Sequence, residues 1–147
     1  MKLLDASYLT SVLEIWDMYR PFKEADGFGL LVSDNVLLQS LERQEVYGYL
    51  DDGELRGFLI VRKVDSVLYE IDMMMTEPEY HRRGFMEQLF QSWLQSCKRP
   101  WEIWLEVHEK NVPAIRFYEK QGFLLDSHRP NYYPDGGAAL LYSLKCN

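Results

Sequence analysis

Cysteine is scarce in this 147-residue chain, with only Cys97 and Cys146. Two thiols without CxxC spacing cannot make a disulfide-dense scaffold, and they are expected as reduced thiols. Histidine is nearly as rare. His81, His108 and His128 stand too far apart in sequence to suggest a metal site, so no metal is expected. No apolar run approaches the roughly 18 residues that a membrane span needs. Met1-Lys2-Leu3-Leu4-Asp5-Ala6-Ser7 does not lead into an apolar signal-peptide core either. These two absences make the cytoplasm the expected compartment. A basic surplus is also missing: 16 Lys+Arg face 23 Asp+Glu, for a formal charge of −7. Nucleic acid and anionic membrane surfaces are therefore not expected partners.

What is present is a balanced globular composition, 47% hydrophobic and 27% charged. A length near 150 suits one domain, here residues 1–147, that buries roughly two-thirds of its unfolded surface. The charge is uneven. Residues 1–70 hold 13 acids and 7 bases, whereas residues 71–147 hold 10 acids and 9 bases. The first part can face something basic and the second can hold something anionic.

Leu9, Val12, Leu13, Trp16 and Tyr19 recur at helical spacing, which predicts a helix over about 7–19 closed by Pro21. Phe22 to Leu31, with Gly27 and Gly29, reads as an exposed connection. Ser33 or Asp34 can cap a second helix presenting Leu37, Leu38 and Leu41. From Val46 the period becomes two. Val46–Leu50 and Gly57–Val61 flank Asp51-Asp52-Gly53-Glu54 as a hairpin, and Val67–Met75 follows as a third strand. Gly84 to Cys97 carries a wide apolar stripe and reads as a helix. Trp101–His108 reads as a strand. Asn111–Gln121 reads as a helix with an Asn cap, Pro113 in its first turn and Gly122 at its end. Phe123–His128 and Ala138–Leu144 complete the chain as strands, joined by the turn-rich Pro130–Gly137.

The most informative stretch runs from Glu70 to Phe90, where a strand ends, a tight turn carries Arg82, Arg83 and Gly84, and an amphipathic helix begins. Such a turn can aim backbone N–H groups at a phosphate, with the helix dipole adding attraction. Taken alone, an Arg-Arg-Gly turn before a helix is more often a plain solvated loop. Further on, alternation sends Trp101, Ile103, Leu105 and Val107 to one face of their strand and Glu102, Trp104, Glu106 and His108 to the other. On that mixed face Glu106 can border a cleft, with partial burial beside Trp104 expected. Tyr118 follows Asn111 by seven residues, about two helical turns.

In company these segments resemble the GNAT family of acetyl-CoA-dependent N-acetyltransferases. Its pyrophosphate loop, Gln/Arg-x-x-Gly-x-Gly/Ala, corresponds to His81-Arg82-Arg83-Gly84-Phe85-Met86. Its following strand and Asn-x-x-Ala-x-x-x-Tyr-x-x-x-Gly-Phe helix correspond to Trp104–Val107 and Asn111–Phe123, in the same order. Leu105-Glu106-Val107, the Tyr118 segment and Asn131-Tyr-Tyr-Pro134 look most like the RimI-type enzymes, which acetylate the α-amino group of a protein N-terminus such as a ribosomal protein's alanine.

The resemblance implies an α/β (α+β) GNAT fold, a central mixed and mostly antiparallel sheet of six to seven strands flanked by about four helices. It implies acetyl-CoA as co-substrate, held by backbone of Met74, Met75 and Thr76, by Arg82, Arg83, Gly84, Phe85, Met86 and Glu87, and by the Asn111 side chain. Glu106 takes the general-base position and Tyr118 the general-acid position, with direct transfer in a ternary complex. His108 is a competing base and Glu102 a third. His81 departs from the usual Gln or Arg, and Met86 from Gly or Ala. Met86 and Trp93 are seven residues apart, so Met86 is expected to turn into the core. The first helix, the Phe22–Leu31 connection and the tyrosine-rich turn are expected on the acceptor side. A basic protein N-terminus suits the acidic first part of the chain, and the chain is expected as a monomer or homodimer. A small-molecule amine is the alternative acceptor, and a non-catalytic acyl-CoA-binding module the alternative of another class.

Overall fold

The computed structural model describes residues 1–19 and 33–147. Pro21 and the connection expected over Phe22–Leu31 lie outside the described residues. The elements run β1 (Lys2–Leu3), α1 (Leu9–Met18), α2 (Asp34–Glu42), β2 (Val46–Asp51), β3 (Glu54–Lys63) and β4 (Leu68–Thr76). They continue with α3 (Phe85–Ser96), β5 (Trp101–His108), α4 (Val112–Lys120), β6 (Leu124–Arg129) and β7 (Ala139–Cys146). Single 3-10 turns stand at Ala6–Tyr8 and Pro78–Tyr80.

Local chemistry explains most boundaries. The Ser33 side chain accepts from the Val36 N–H and opens α2, and Asn111 accepts from the Ala114 N–H and opens α4 with Pro113 in its first turn. Asp52 and Gly53 both take positive φ, 50° and 78°, in the two-residue turn between β2 and β3. That backbone twist matches the twist of the strands it joins. Lys2–Leu3 was not foreseen as a strand. It is two residues long, and only its pairing with Tyr47 and Gly48 of β2 makes it one.

One seven-stranded sheet runs in the order β1-β2-β3-β4-β5-β7-β6. Every neighbouring pair is antiparallel except β4 and β5, which run parallel with α3 as their crossover. With four α-helices among the described residues, this is the mixed, mostly antiparallel α/β architecture anticipated from the sequence. On one face α1 and α2 bury Val12, Ile15, Trp16, Leu37 and Leu41 against Phe58 and Ile60 of β3. On the other α3 and α4 bury Leu89, Phe90, Trp93 and Tyr118 against Leu59 and Val61 of the same strand. A strand covered on both faces must be apolar throughout, hence the run Phe58-Leu-Ile-Val61. Truncating a core ring such as Phe90, fully buried, costs about 3–5 kcal/mol. No helix among the described residues is long and apolar enough to cross a membrane.

Candidate active site

The parallel pair β4 and β5 is bonded from Leu68 opposite Glu102 to Ile71 opposite Leu105. Beyond that point β4 follows β3, with Met73 opposite Ile60 and Thr76 opposite Gly57, while β5 follows β7 up to His108 opposite Ala139. The strands part. Ile71 faces Val61 and Met73 faces Ile60, so Asp72 is the extra residue of a β-bulge placed where the parting begins. The gap is a cleft of about 650 Å³. Met73, Met74 and Met75 line it from β4, and Trp104 to His108 from β5. Asn111 and Tyr118 enter from α4, Trp16 from α1, and Tyr132 and Tyr133 from the turn after β6.

Glu106 and Tyr118 thus come from a strand and a helix into one cavity. Glu106 differs from expectation: it is exposed, its side chain keeps 34% of its accessible surface, and its Oε1 lies 3.1 Å from Arg129 Nη1. The face alternates as read. Tyr118 is buried against Phe117 and Phe123, and burial, with Tyr133 nearby, pushes its phenol well above the ordinary tyrosine value. It therefore stays protonated through the neutral range and able to donate. Asn111 spends Oδ1 on the helix cap at 3.4 Å, leaving its amide Nδ2 as the group it can offer the cleft.

The two competing bases are otherwise engaged. Glu102 Oε1 accepts from Trp104 Nε1 at 2.6 Å and pairs with Lys145 at 3.2 Å. His108, expected with Glu106 on the mixed face of β5, is 2% exposed, because Tyr133 and Asp135 of the turn after β6 cover it.

At the far end of β4 the turn Tyr80–Gly84 leads into α3. Arg82 and Gly84 take positive φ, 63° and 79°. A Cβ on Gly84 would meet nothing within 4 Å, so the left-handed conformation is the reason for glycine here and the space above it is open. Gly84 supplies no side-chain cap, and the first α3 bond runs from Gln88 N–H to Gly84 O. Helix geometry therefore leaves the N–H groups of Phe85, Met86 and Glu87 without an intrahelical acceptor. Met86 packs against the α3/α4 core, as its spacing implied. The Glu87 carboxylate turns to Lys120 at 3.2 Å and Gln121 at 3.4 Å, which holds it below its ordinary range. Only its backbone remains for a ligand. None of Arg82 to Glu87 lines the cleft, and neither does Thr76. The Thr76 carbonyl already accepts from the Tyr19 hydroxyl, and His81 Nε2 lies 3.1 Å from it. His81 ties the turn to the end of α1 instead of reaching forward as a longer side chain would.

The acetyltransferase (GNAT) family model matches residues 9–123, most of the chain. The chain belongs to the GNAT acetyltransferase family. Among its curated relatives is an N-alpha-acetyltransferase of Saccharolobus solfataricus, 32% identical over 102 residues, 65% of this chain and 60% of that protein. The Escherichia coli ribosomal-protein-alanine N-acetyltransferase is 30% identical over 97 residues, 63% of this chain and 64% of that protein. The crystal structure of the ribosomal-protein-S18-alanine N-acetyltransferase from Escherichia coli shares the fold, with a TM-score of 0.79 at 24% identity over 98% of this chain and 91% of that one. The Escherichia coli peptidyl-lysine N-acetyltransferase YiaC is 32% identical over 124 residues, 80% of this chain and 77% of that protein. Of the first two relatives the chain spans less than two-thirds of the length.

This GNAT domain also brings to the cleft residues that its motifs did not announce. Arg62 grips Asp72 with two bonds, 2.7 and 3.1 Å, and also contacts Glu70. Arg129 reaches Glu106 because Asp126 bulges out of β6 and shifts its register on β7. Cross-sheet ion pairs depend on register, and nothing local in these residues reports it. The tyrosine-rich turn is the exception: its residues were expected on the acceptor side, and Tyr132 and Tyr133 do line the cleft.

Proposed function

We propose that the chain is an acetyl-CoA-dependent N-acetyltransferase acting on the α-amino group of a peptide or protein N-terminus, with residues 1–147 as one catalytic domain. The observation that carries this is the parting of β4 and β5, which leaves a strand edge beside the Glu106 carboxylate and the buried Tyr118 phenol. The names of the relatives support the acceptor class.

The residues present fit acetyl-CoA. The edge of Met74 and Met75 that β5 leaves unpaired suits an amide-bearing arm, and the open space above Gly84, with Arg82, Arg83 and the first N–H groups of α3, suits a pyrophosphate. Bound there, acetyl-CoA supplies an activated acetyl thioester. Glu106 accepts the proton of the attacking amine, and the Tyr118 hydroxyl donates one to the departing thiolate. Asn111 Nδ2 donates a hydrogen bond to the cofactor arm. The side chains at hand support direct transfer. Cys97 lies off the cleft, packed on the α3 core, where burial pushes its thiol up to about 11 and keeps it un-ionised. We place the reaction in the cytoplasm, where Cys97 and Cys146 stay reduced.

The test offers acetyl-CoA with three acceptors: an alanine-initiated peptide, the same peptide N-terminally blocked and carrying one lysine, and spermidine. Free thiol release and product mass are followed. Acetylation of the free α-amine is the expected result. Turnover confined to the blocked peptide would move the acceptor to a lysine side chain, as in the name of YiaC. Turnover confined to spermidine would make it a small-molecule enzyme. Thermal unfolding supplies the control, because ligand at 100 times its dissociation constant stabilises by about 2.7 kcal/mol. Stabilisation without any thiol release would mean an acyl-CoA-binding module.

A further inference from the structure

We propose that His108 and Asp135 form a clamp that holds the Tyr132–Gly137 turn against the cleft and so positions Tyr133 for the acceptor. His108 is then a positioning residue and takes no proton from substrate. The acceptor part of this rests on the N-acetyltransferase reading above.

The bonding of the ring decides the matter. His108 Nδ1 lies 3.0 Å from the backbone N–H of Lys110, which can only donate, so Nδ1 carries the lone pair. Nε2 therefore carries the proton, and it points at the Asp135 carboxylate, 2.8 and 2.9 Å from its two oxygens. Both nitrogens are committed, and the side chain is 2% exposed. The carboxylate also accepts from the Gly137 N–H at 2.8 Å, while the Gly137 carbonyl accepts from the N–H groups of Tyr132 and Tyr133, each at 3.1 Å. One buried imidazole thus fixes an acid that fixes a glycine that fixes both tyrosine backbones. The Tyr133 ring then stacks on the imidazole, 4.6 Å between centroids and 28° between planes. The fit is closed from the other side as well. A Cβ on Gly137 would lie 2.3 Å from two ring atoms of His108, so only glycine lets the turn close on it. The same ring that carries no chemistry of its own therefore sets where a cleft wall stands, two residues along β5 from Glu106.

Three variants test the clamp. Asp135→Ala removes the acceptor, Asp135→Asn keeps an oxygen for both N–H groups, and Gly137→Ala forces the turn off the ring. With the alanine-initiated peptide, Asp135→Ala and Gly137→Ala are expected to raise peptide KM about tenfold while kcat and acetyl-CoA KM stay within about twofold. Asp135→Asn is expected to restore peptide KM. Amide exchange at Tyr132, Tyr133 and Gly137 should quicken in Asp135→Ala and Gly137→Ala and not in Asp135→Asn, a readout independent of any acceptor. Unchanged exchange in Asp135→Ala would overturn the clamp. A fall in kcat at unchanged peptide KM would overturn the positioning role and return His108 to the chemistry. Wild-type protein that turns over no peptide, yet shows the expected exchange pattern, would sink the acceptor reading and leave the clamp standing.

Discussion

On its β5 side the cleft presents side chains, Glu106 from the strand and Asn111 and Tyr118 from α4, whereas on its β4 side it presents a strand edge. The difference follows from what happens to the methionines. Met74 packs into the α3/α4 core, and Met73 and Met75 pack into the α1/α2 core, so on this wall the side chains are used in folding and the backbone is left for a ligand. Opposite, β5 buries Ile103, Leu105 and Val107 on one face, and the other face carries the Glu106 carboxylate into the cleft. One wall should therefore be sensitive to side-chain identity, and the other to backbone conformation.

The largest expected effect is on the β5 side. Glu106→Gln keeps size and removes the proton acceptor, and kcat is expected to fall about 10³-fold with acetyl-CoA KM little changed. Steady-state kinetics checks this, and a loss under tenfold would take the base role from Glu106. Tyr118→Phe keeps the ring among Phe117 and Phe123, so the fold is retained, and kcat is expected to fall about 10²-fold. The pH dependence has a definite sign. Burial raises the Tyr118 phenol above its ordinary value of 10.0, so wild-type kcat should show no loss from its ionisation up to about pH 10. A limb assigned to Tyr118 below pH 9, absent in the Phe variant, would contradict that burial.

The third expectation concerns backbone. Gly84→Ala places a Cβ at φ 79°, where no neighbour blocks it but the left-handed conformation costs about 1 kcal/mol. Acetyl-CoA KM should rise about fivefold with kcat nearly unchanged. The smallest effect belongs to Met74→Leu, a volume-conserving change in a packed position, expected to move kcat/KM by no more than about twofold. If Met74→Leu proved as damaging as Tyr118→Phe, the distinction between the two walls would be lost.

Local signals were legible wherever neighbouring residues decide the outcome. Ser33 and Asn111 cap their helices because the acceptor and the free N–H lie within one turn. Met86 could be turned inward from its seven-residue spacing to Trp93, since both ride one helix face. The motif order around Gly84, Glu106 and Tyr118 carried the family. The same reasoning stopped short on β5, where alternation placed Glu106 and His108 on one face and left their surroundings unread. One is exposed beside Arg129 and the other is sealed under Tyr133 and Asp135. Alternation gives a direction in space and says nothing of what covers it.

By itself, then, the sequence determined the elements other than β1, their order and the turn chemistry, because propensity, capping and periodicity act over a few residues. Only the tertiary structure decided where β4 and β5 part, that Thr76 is taken by Tyr19, that Arg62 and Arg129 reach the cleft, and that His108 holds a turn. Those outcomes depend on strand register and on packing between segments far apart in the chain. Their energies exist only once the sheet has closed around them.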